Sequence, residues 1–256
     1  MITTSPWAAL VTGAGHRIGR AIALELAAHG WDVAVHHNRS AAEAADVVAM
    51  ITERGRKAVA VGADLTDEAA ASALVGRAAD AIGPLTGLIN NASVFEEDEV
   101  ETATRESWDR HLDVNLRAPF VLAREFARQM PDDATGNIVN VIDQRVWNLT
   151  PHFMSYTLSK AGLWTLTQTL ALSLAPRVRV NAVGPGPTLA SSRQTDEEFD
   201  RQWSALPLAR ATSADEVAQA VRFILDAPAM TGQMIALDAG QHMGWAPADS
   251  AKDVTE

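Results

Sequence analysis

The chain contains a single tyrosine, Tyr156, in the run Tyr156-Thr157-Leu158-Ser159-Lys160. A lysine four residues after a tyrosine lies on the same face of a helix, one turn along. This spacing sets an ammonium beside a phenol. A neighbouring positive charge favours the phenolate, and so draws a tyrosine pKa from about 10 toward the working range of a general acid or base. Thirteen positions upstream, Asp143 stands at the end of an apolar run.

A second group of residues points to a dinucleotide. Thr12-Gly13-Ala14-Gly15-His16-Arg17-Ile18-Gly19 joins a strand-like run to a helix-like one. Glycines there let the backbone turn sharply and approach a pyrophosphate, and the helix N-terminus offers it free N–H groups. A glycine triplet alone is equally a tight turn; its place after the first strand of a βαβ unit gives it weight. The end of the second strand selects the cofactor. An acidic residue there binds the ribose hydroxyls of NAD. This chain has His36, His37, Asn38, Arg39 and Ser40, and no acid before Glu43. Arg39 can fork onto a 2′-phosphate and Ser40 can add a hydroxyl, so the cofactor reading is NADPH/NADP+. The plainer alternative for Arg39 is a solvated loop side chain.

The elements that must position these groups alternate along the chain. Strands are expected over Ala8–Thr12, Asp32–His37, Lys57–Gly62, Gly87–Asn90, Asn137–Ile142, Arg177–Val183 and Met234–Asp238. Helices are expected over Arg17–His29, Ala41–Arg54, Asp67–Ile82, Arg105–Gln129, Ser155–Leu174 and Ser213–Leu225, with Pro119 kinking or dividing the fourth of these. The strands carry few charges and no clean alternation, as in a sheet buried on both faces. The order predicts an α/β fold, a single-domain doubly wound parallel sheet of about seven strands with right-handed crossovers. Residues 1–244 read as one domain and 245–256 as a flexible polar tail. Pro185–Trp203 reads as a long loop with a short helix.

Composition narrows the partners. A formal net charge of −11 argues against nucleic acid or an anionic membrane as a main partner. The absence of cysteine excludes disulfides, cysteine-ligated zinc and thiol catalysis, and no metal is expected. Met1–Trp7 lacks the pattern of a signal peptide, and no apolar run approaches about 18 residues. A cytoplasmic protein is expected.

Taken together, Thr12-Gly13 with Gly19, Asp64-Leu65, Asn90-Asn91-Ala92, Asn115, Tyr156 with Lys160, and Pro185-Gly186 resemble the short-chain dehydrogenase/reductase superfamily over essentially the whole chain. The resemblance implies a Rossmann-like sheet, with Asp64 and Leu65 beside the adenine. It implies that Ile18, Asn91, Ala92, Ser93, Pro185, Gly186 and Thr188 line the cofactor, and that Asn115 supports a proton-relay water. Asn115 reads equally as a buried amide that pins a helix bulge.

Three departures narrow the resemblance. Most members have glycine where Arg17 and Ser93 stand, and serine where Asp143 stands. With His36-His37-Asn38-Arg39-Ser40 and Phe95, these look like pteridine reductases. That likeness implies that Arg17 reaches cofactor phosphate and the pterin, and that Phe95 stacks on the pterin against the nicotinamide. It implies that Asp143 joins Tyr156, Lys160 and Asn115 in the catalytic group. The substrate-binding set is then Arg17, Phe95, Asp143 and Tyr156. Asp143 would polarise Tyr156 or position the aminopyrimidine edge of the substrate. Phe95 reads also as a core residue, Arg17 as a surface residue and Asp143 as a turn carboxylate.

The expected reaction is hydride transfer from NADPH to a ring C=N bond of a dihydropterin- or dihydrofolate-type pteridine. Tyr156 is the proton donor, resupplied through ribose, Lys160 and water. A carbonyl or imine reductase of other specificity is the alternative, and a non-catalytic NADPH-binding regulator a further one. Gln144–Leu149 would wall the pocket or form a subunit contact, and Pro187–Trp203 would be the substrate lid. The likeness also implies a homotetramer built through the two long helices and the last strand.

Overall fold

The computed structural model describes residues 7–191 and 193–244; the expected tail over 245–256 lies outside them. Seven strands run in parallel: β1 (Ala8–Val11), β2 (Asp32–His37), β3 (Ala58–Gly62), β4 (Gly87–Asn90), β5 (Gly136–Val141), β6 (Val178–Pro185) and β7 (Met234–Leu237). Their order across the sheet is β3-β2-β1-β4-β5-β6-β7. The helices are α1 (Arg17–Ala28), α2 (Ala41–Glu53), α3 (Glu68–Ile82), α4 (Arg105–Leu112), α5 (Ala118–Gln129), α6 (Met154–Leu174), α7 (Asp196–Ser204) and α8 (Ala214–Leu225).

The two central strands, β1 and β4, are buried along their whole length. That is why their sequences read as unbroken apolar runs. One face of the sheet packs Ile22 and Leu26 of α1, Val47 and Ile51 of α2, and Val221 and Ile224 of α8. The other packs Leu74 and Val75 of α3, Leu122 and Phe126 of α5, and Leu170 of α6. The chain crosses the sheet between β3 and β4, so the strand order reverses beside β1. In open α/β sheets the carboxyl ends of the strands at such a reversal form the ligand crevice.

Local chemistry sets the element ends. Asp67 and Ser213, expected as first helical residues, are instead N-caps. Asp67 accepts from the N–H groups of Ala69 and Ala70, and Ser213 forms a capping box with Glu216. The expected long helix Arg105–Gln129 is divided. α4 gives way to a π-helical turn at Asp113–Arg117, and α5 begins with Pro119 in its first turn, where a missing N–H costs least. That wide turn carries Asn115. The segment after β6 holds α7, which opens with a capping box of Thr195 and Glu198 and buries none of its residues.

Candidate active site

The turn after β1 is braced from both sides. Gly13 has φ +63°, a region glycine enters freely. Its N–H donates to His36 Nδ1 at 3.0 Å, and the opposite nitrogen of that ring meets the carbonyl of Ala63 at 3.1 Å. Since Nδ1 accepts, Nε2 carries the proton and donates. Burial lowers the His36 pKa to about 4, opposed by its bond to Ala63, so the ring is a neutral strut joining the turn to the ends of β2 and β3. From the β4 side, Thr12 Oγ1 accepts from the N–H groups of Asn91 and Ala92, both at 2.9 Å, and Asn91 Nδ2 donates to Thr12 O at 2.8 Å. A Cβ at Gly19 would collide with the Gly13 carbonyl, so α1 starts hard against the turn.

Arg17 has φ +52°. This left-handed backbone explains why glycine is usual at that position in the superfamily the chain resembles; a side chain there costs about 1–2 kcal/mol. The Arg17 guanidinium donates to Leu189 O at 3.1 Å and to Ala190 O at 3.0 Å, tying the glycine turn to the segment after β6.

A cleft of about 1090 Å³ opens at this end of the sheet. Gly13, Arg17, Ile18 and Gly19 form its floor, and His37, Asn38, Arg39 and Ser40 line it from the end of β2. Asp64 and Leu65 enter from the end of β3, and Asn91, Ala92 and Ser93 from β4. His16, Val114 and the polar face of α4 complete it, and none of these was apparent from the sequence. The Asp64 carboxylate accepts from the N–H and Oγ1 of Thr66, which holds its pKa below the usual carboxylate range. The cleft fits an anionic dinucleotide with an extra phosphate. A glycine turn at a helix N-terminus lies at one point, and Arg39, with no acid beside it at the end of β2, at the other.

A smaller cavity of about 280 Å³ shares Arg17, Ile18, Asn91 and Ser93 with the cleft. Phe95, Asp143, Tyr156 and Lys160 line it, and so do Pro185, Gly186 and Thr188, which border this cavity and not the larger cleft. The Tyr156 hydroxyl donates to Asp143 Oδ2 at 2.9 Å, and the Arg145 N–H donates to Asp143 Oδ1 at 2.8 Å. Surrounding protein desolvates Asp143 and pushes its pKa up, against Arg145, the hydrogen bonds and Lys160. Lys160 Nζ donates to Val141 O at 2.9 Å and lies 5.7 Å from the centre of the Tyr156 ring. Burial draws its pKa down to about 8, with the Asp143 charge acting in the other direction. The cavity therefore contains a phenol, a carboxyl that orients it, and an ammonium whose pKa burial brings down to about 8.

Asn115 does not reach this group directly. Its Nδ2 donates to Val94 O at 2.9 Å and Ser159 Oγ at 3.0 Å, and its Oδ1 accepts from Val94 N–H at 2.8 Å. Its side chain pins the loop after β4 to α6 from inside the π-helical turn.

Phe95 stacks on Phe153, with centroids 4.5 Å apart and planes 9° from parallel, and meets Tyr156 edge-on at 4.7 Å. Arg193 lies 5.0 Å from the Phe95 centroid and donates to Phe95 O at 3.1 Å. Behind Tyr156, Asp98 accepts from Ser155 N–H at 2.9 Å, from Ser155 Oγ, and from Ser107 Oγ at 3.0 Å. Burial raises the Asp98 pKa, but these bonds outweigh it and leave the carboxyl low. His111 closes the cluster, accepting from Glu96 N–H at 3.1 Å.

Phe153 and Gln241 carried no sequence signal, because they come from segments far from the motifs. Gln144 lay in the expected pocket wall, and Arg193, Gln194 and Gln202 lay in the expected lid, but none was singled out as a site residue. Trp147 lines neither cavity; it packs edge-on against Trp164 and His242, so the pocket wall at Gln144–Leu149 is confined to Gln144 and Arg145.

The family model described as short chain dehydrogenase matches residues 7–201. The 3-oxoacyl-[acyl-carrier-protein] reductase of Synechocystis sp. is 34% identical over 239 residues, covering 92% of this chain and 96% of that one. The crystal structure of FolM alternative dihydrofolate reductase 1 from Brucella canis complexed with NADP is 49% identical. It superposes with a TM-score of 0.92 over 96% of this chain and 97% of that one. A short chain dehydrogenase from Burkholderia cenocepacia in complex with NADP is 37% identical, with a TM-score of 0.85 over 91% of this chain and 96% of that one. The chain belongs to the short-chain dehydrogenase family, and it is an oxidoreductase of that family.

Proposed function

We propose that the protein is an NADPH-dependent reductase of a pteridine C=N bond, of dihydropterin or dihydrofolate type. The observation that carries this reading is the hydrogen bond between Tyr156 and Asp143 in a cavity walled by Phe95. The carboxyl stands where family members commonly have serine, and the aromatic wall suits a flat heteroaromatic ring. Similarity to the Brucella FolM structure, at 49% identity, supports it further.

In this reading Gly13, Arg17, Ile18, Gly19, His37, Asn38, Arg39, Ser40, Asp64, Leu65, Asn91, Ala92 and Ser93 hold NADPH, with Lys160, Pro185, Gly186 and Thr188 toward its reactive end. When bound, NADPH supplies the hydride. Tyr156 delivers a proton from its hydroxyl to the ring nitrogen of the same C=N bond, and Asp143 keeps that hydroxyl aimed into the cavity. Lys160 keeps positive charge beside the phenol as it gives up its proton. Asn115 holds the loop after β4 against α6, so that Phe95 and Tyr156 stay in register. Arg17, between the two cavities, contributes charge to both.

The second reading is a carbonyl reductase, favoured by the name of the Synechocystis relative. A non-catalytic regulator is disfavoured because it has no use for the Tyr156, Asp143 and Lys160 cluster. Steady-state assays with NADPH against a dihydropterin, dihydrofolate and a 3-oxoacyl thioester separate the three. Pteridine turnover with the highest kcat/KM is expected; preferential turnover of the thioester would establish the second reading, and turnover of none the third.

The proposal includes a cytoplasmic homotetramer. Trp108 on α4 and Leu158 and Leu172 on α6 leave apolar surface uncovered in the monomer, Leu172 at 84% exposure. Sedimentation at micromolar concentration tests it; a monomer would refute it.

A further inference from the structure

Four glutamines line the smaller cavity, and they fall into two pairs. Gln194 and Gln202 of the lid satisfy one another: Gln194 Nε2 donates to Gln202 Oε1 at 3.0 Å, and Gln194 Oε1 accepts from Ser191 N–H at 3.1 Å. Gln144 and Gln241 differ. The Oε1 of each is buried and has no hydrogen-bond partner among the described residues. Gln144 is only 5% exposed. Buried acceptors are nearly always paired, because leaving one unmade forfeits its hydration with no return.

Both residues flank the carboxyl end of β6. A Cβ at Gly184 would lie 3.5 Å from the Gln144 backbone nitrogen, and one at Gly186 would lie 3.1 Å from Gln241 Oε1. The same Cβ would lie 2.7 Å from the Cα of Asp238, so only glycine lets the ends of β6 and β7 close up and bring Gln241 to this wall. Asp143, the other acceptor at this wall, is already engaged by Tyr156 and by Arg145 N–H. Each Asp143 oxygen thus already takes one donor, which leaves the two glutamine oxygens as the wholly unengaged acceptors among these groups.

We infer that Gln144, assisted by Gln241, is a specificity-determining residue that accepts hydrogen bonds from the amino edge of a 2-amino-4-oxopyrimidine ring. This rests on the pteridine reading above and names which part of the ring is recognised. Such a ring presents its 2-amino group and N3–H side by side, donors for two carbonyl-type acceptors. A ketone or acyl thioester presents only acceptors at its reacting group and leaves both glutamines unpaired, so the same residues select against it. Sites built to pair a donor discriminate strongly against analogues that lack it.

The test compares kcat/KM for a dihydropterin and for its 2-desamino counterpart, with NADPH. The intact protein is expected to prefer the amino compound by about 10-fold or more. Gln144→Leu is expected to bring the ratio close to one, Gln144→Glu to retain the preference through its carboxylate oxygen, and Gln241→Leu to lose part of it. Fluorescence of bound NADPH reports that each variant is folded, and Gln144→Met, closer in shape, replaces the leucine variant if that one fails to fold. An unchanged ratio in the apolar variants overturns the assignment and leaves the pteridine reading in place. Turnover of neither pteridine by the intact protein, alongside turnover of a 3-oxoacyl thioester, overturns both.

Discussion

The Tyr156 hydroxyl donates to Asp143 Oδ2 at 2.9 Å, so the chain's single tyrosine and the carboxyl at the end of β5 act as one unit. Removing the hydroxyl in Tyr156→Phe is expected to lower kcat with a dihydropterin by about 10²–10⁴-fold, the usual contribution of a positioned general acid. NADPH binding, followed by fluorescence, should persist. Asp143→Ser installs the residue common in the family. It is expected to cost pteridine turnover about 10-fold or more while a simple ketone is reduced at least as well. Equal losses on both substrates would show that Asp143 serves Tyr156 without regard to substrate.

Lys160 makes a pH-dependent prediction. Burial lowers its pKa to about 8, so its ammonium is present below that pH and is lost above it. If the charge is needed beside Tyr156, kcat/KM falls as pH rises through about 8. Lys160→Arg, which keeps its charge throughout, should move that limb upward, and a limb that stays in place would assign it to another group.

Arg17 holds the segment after β6 through Leu189 O and Ala190 O while its own backbone sits at φ +52°. Arg17→Gly relieves the backbone by about 1–2 kcal/mol and cuts both bonds. The two lost bonds, at about 1 kcal/mol each, offset that relief, so thermal stability should change little, while KM for substrate rises about 10-fold as the segment after β6 loses its tie. Limited proteolysis within residues 187–204 should accelerate. Unchanged proteolysis would show that this segment does not depend on the tie.

His36 predicts an acid-side loss of stability. Its folded pKa, about 4, lies below the ordinary 6.5, so between those values the unfolded chain binds the proton and the folded protein does not. Stability is complete above pH 6.5 and is lost as pH falls toward 4, by on the order of 3 kcal/mol from this group. Urea midpoints measured across that window should fall for the natural chain. His36→Asn should be less stable at pH 7 and flatter in that range. A parallel slope in the variant would place the acid sensitivity elsewhere.

The amino-acid order alone was enough for the sheet. Apolar runs such as Leu88-Ile89 and Val139 imply strands buried on both faces, and strict alternation with helices leaves little but a parallel doubly wound arrangement. Local spacing also placed Tyr156 one turn from Lys160, and the turn at Gly13 before α1, because both are set by backbone geometry over a few residues. Element ends were legible only to within a residue or two. Asp67 and Ser213 are helix formers by position and caps by their hydrogen bonds. Pro119 and the reading of Asn115 as the pin of a helix bulge pointed to a break in the long helix, but only the tertiary structure set it as a π-helical turn over Asp113–Arg117.

The surroundings of the cavity were a different matter. Phe153 against Phe95, Arg193 across both rings, and Gln144 and Gln241 lining one cavity bring together segments far apart in the chain. Periodicity and spacing report a residue's own element and not the partner it will meet. Such contacts exist only once the sheet has brought the ends of β4, β5 and β6 together. The tertiary structure also decided that Arg17 meets the carbonyls of Leu189 and Ala190 and that His36 is a buried neutral strut, because both depend on which polar atoms remain nearby after water has been excluded.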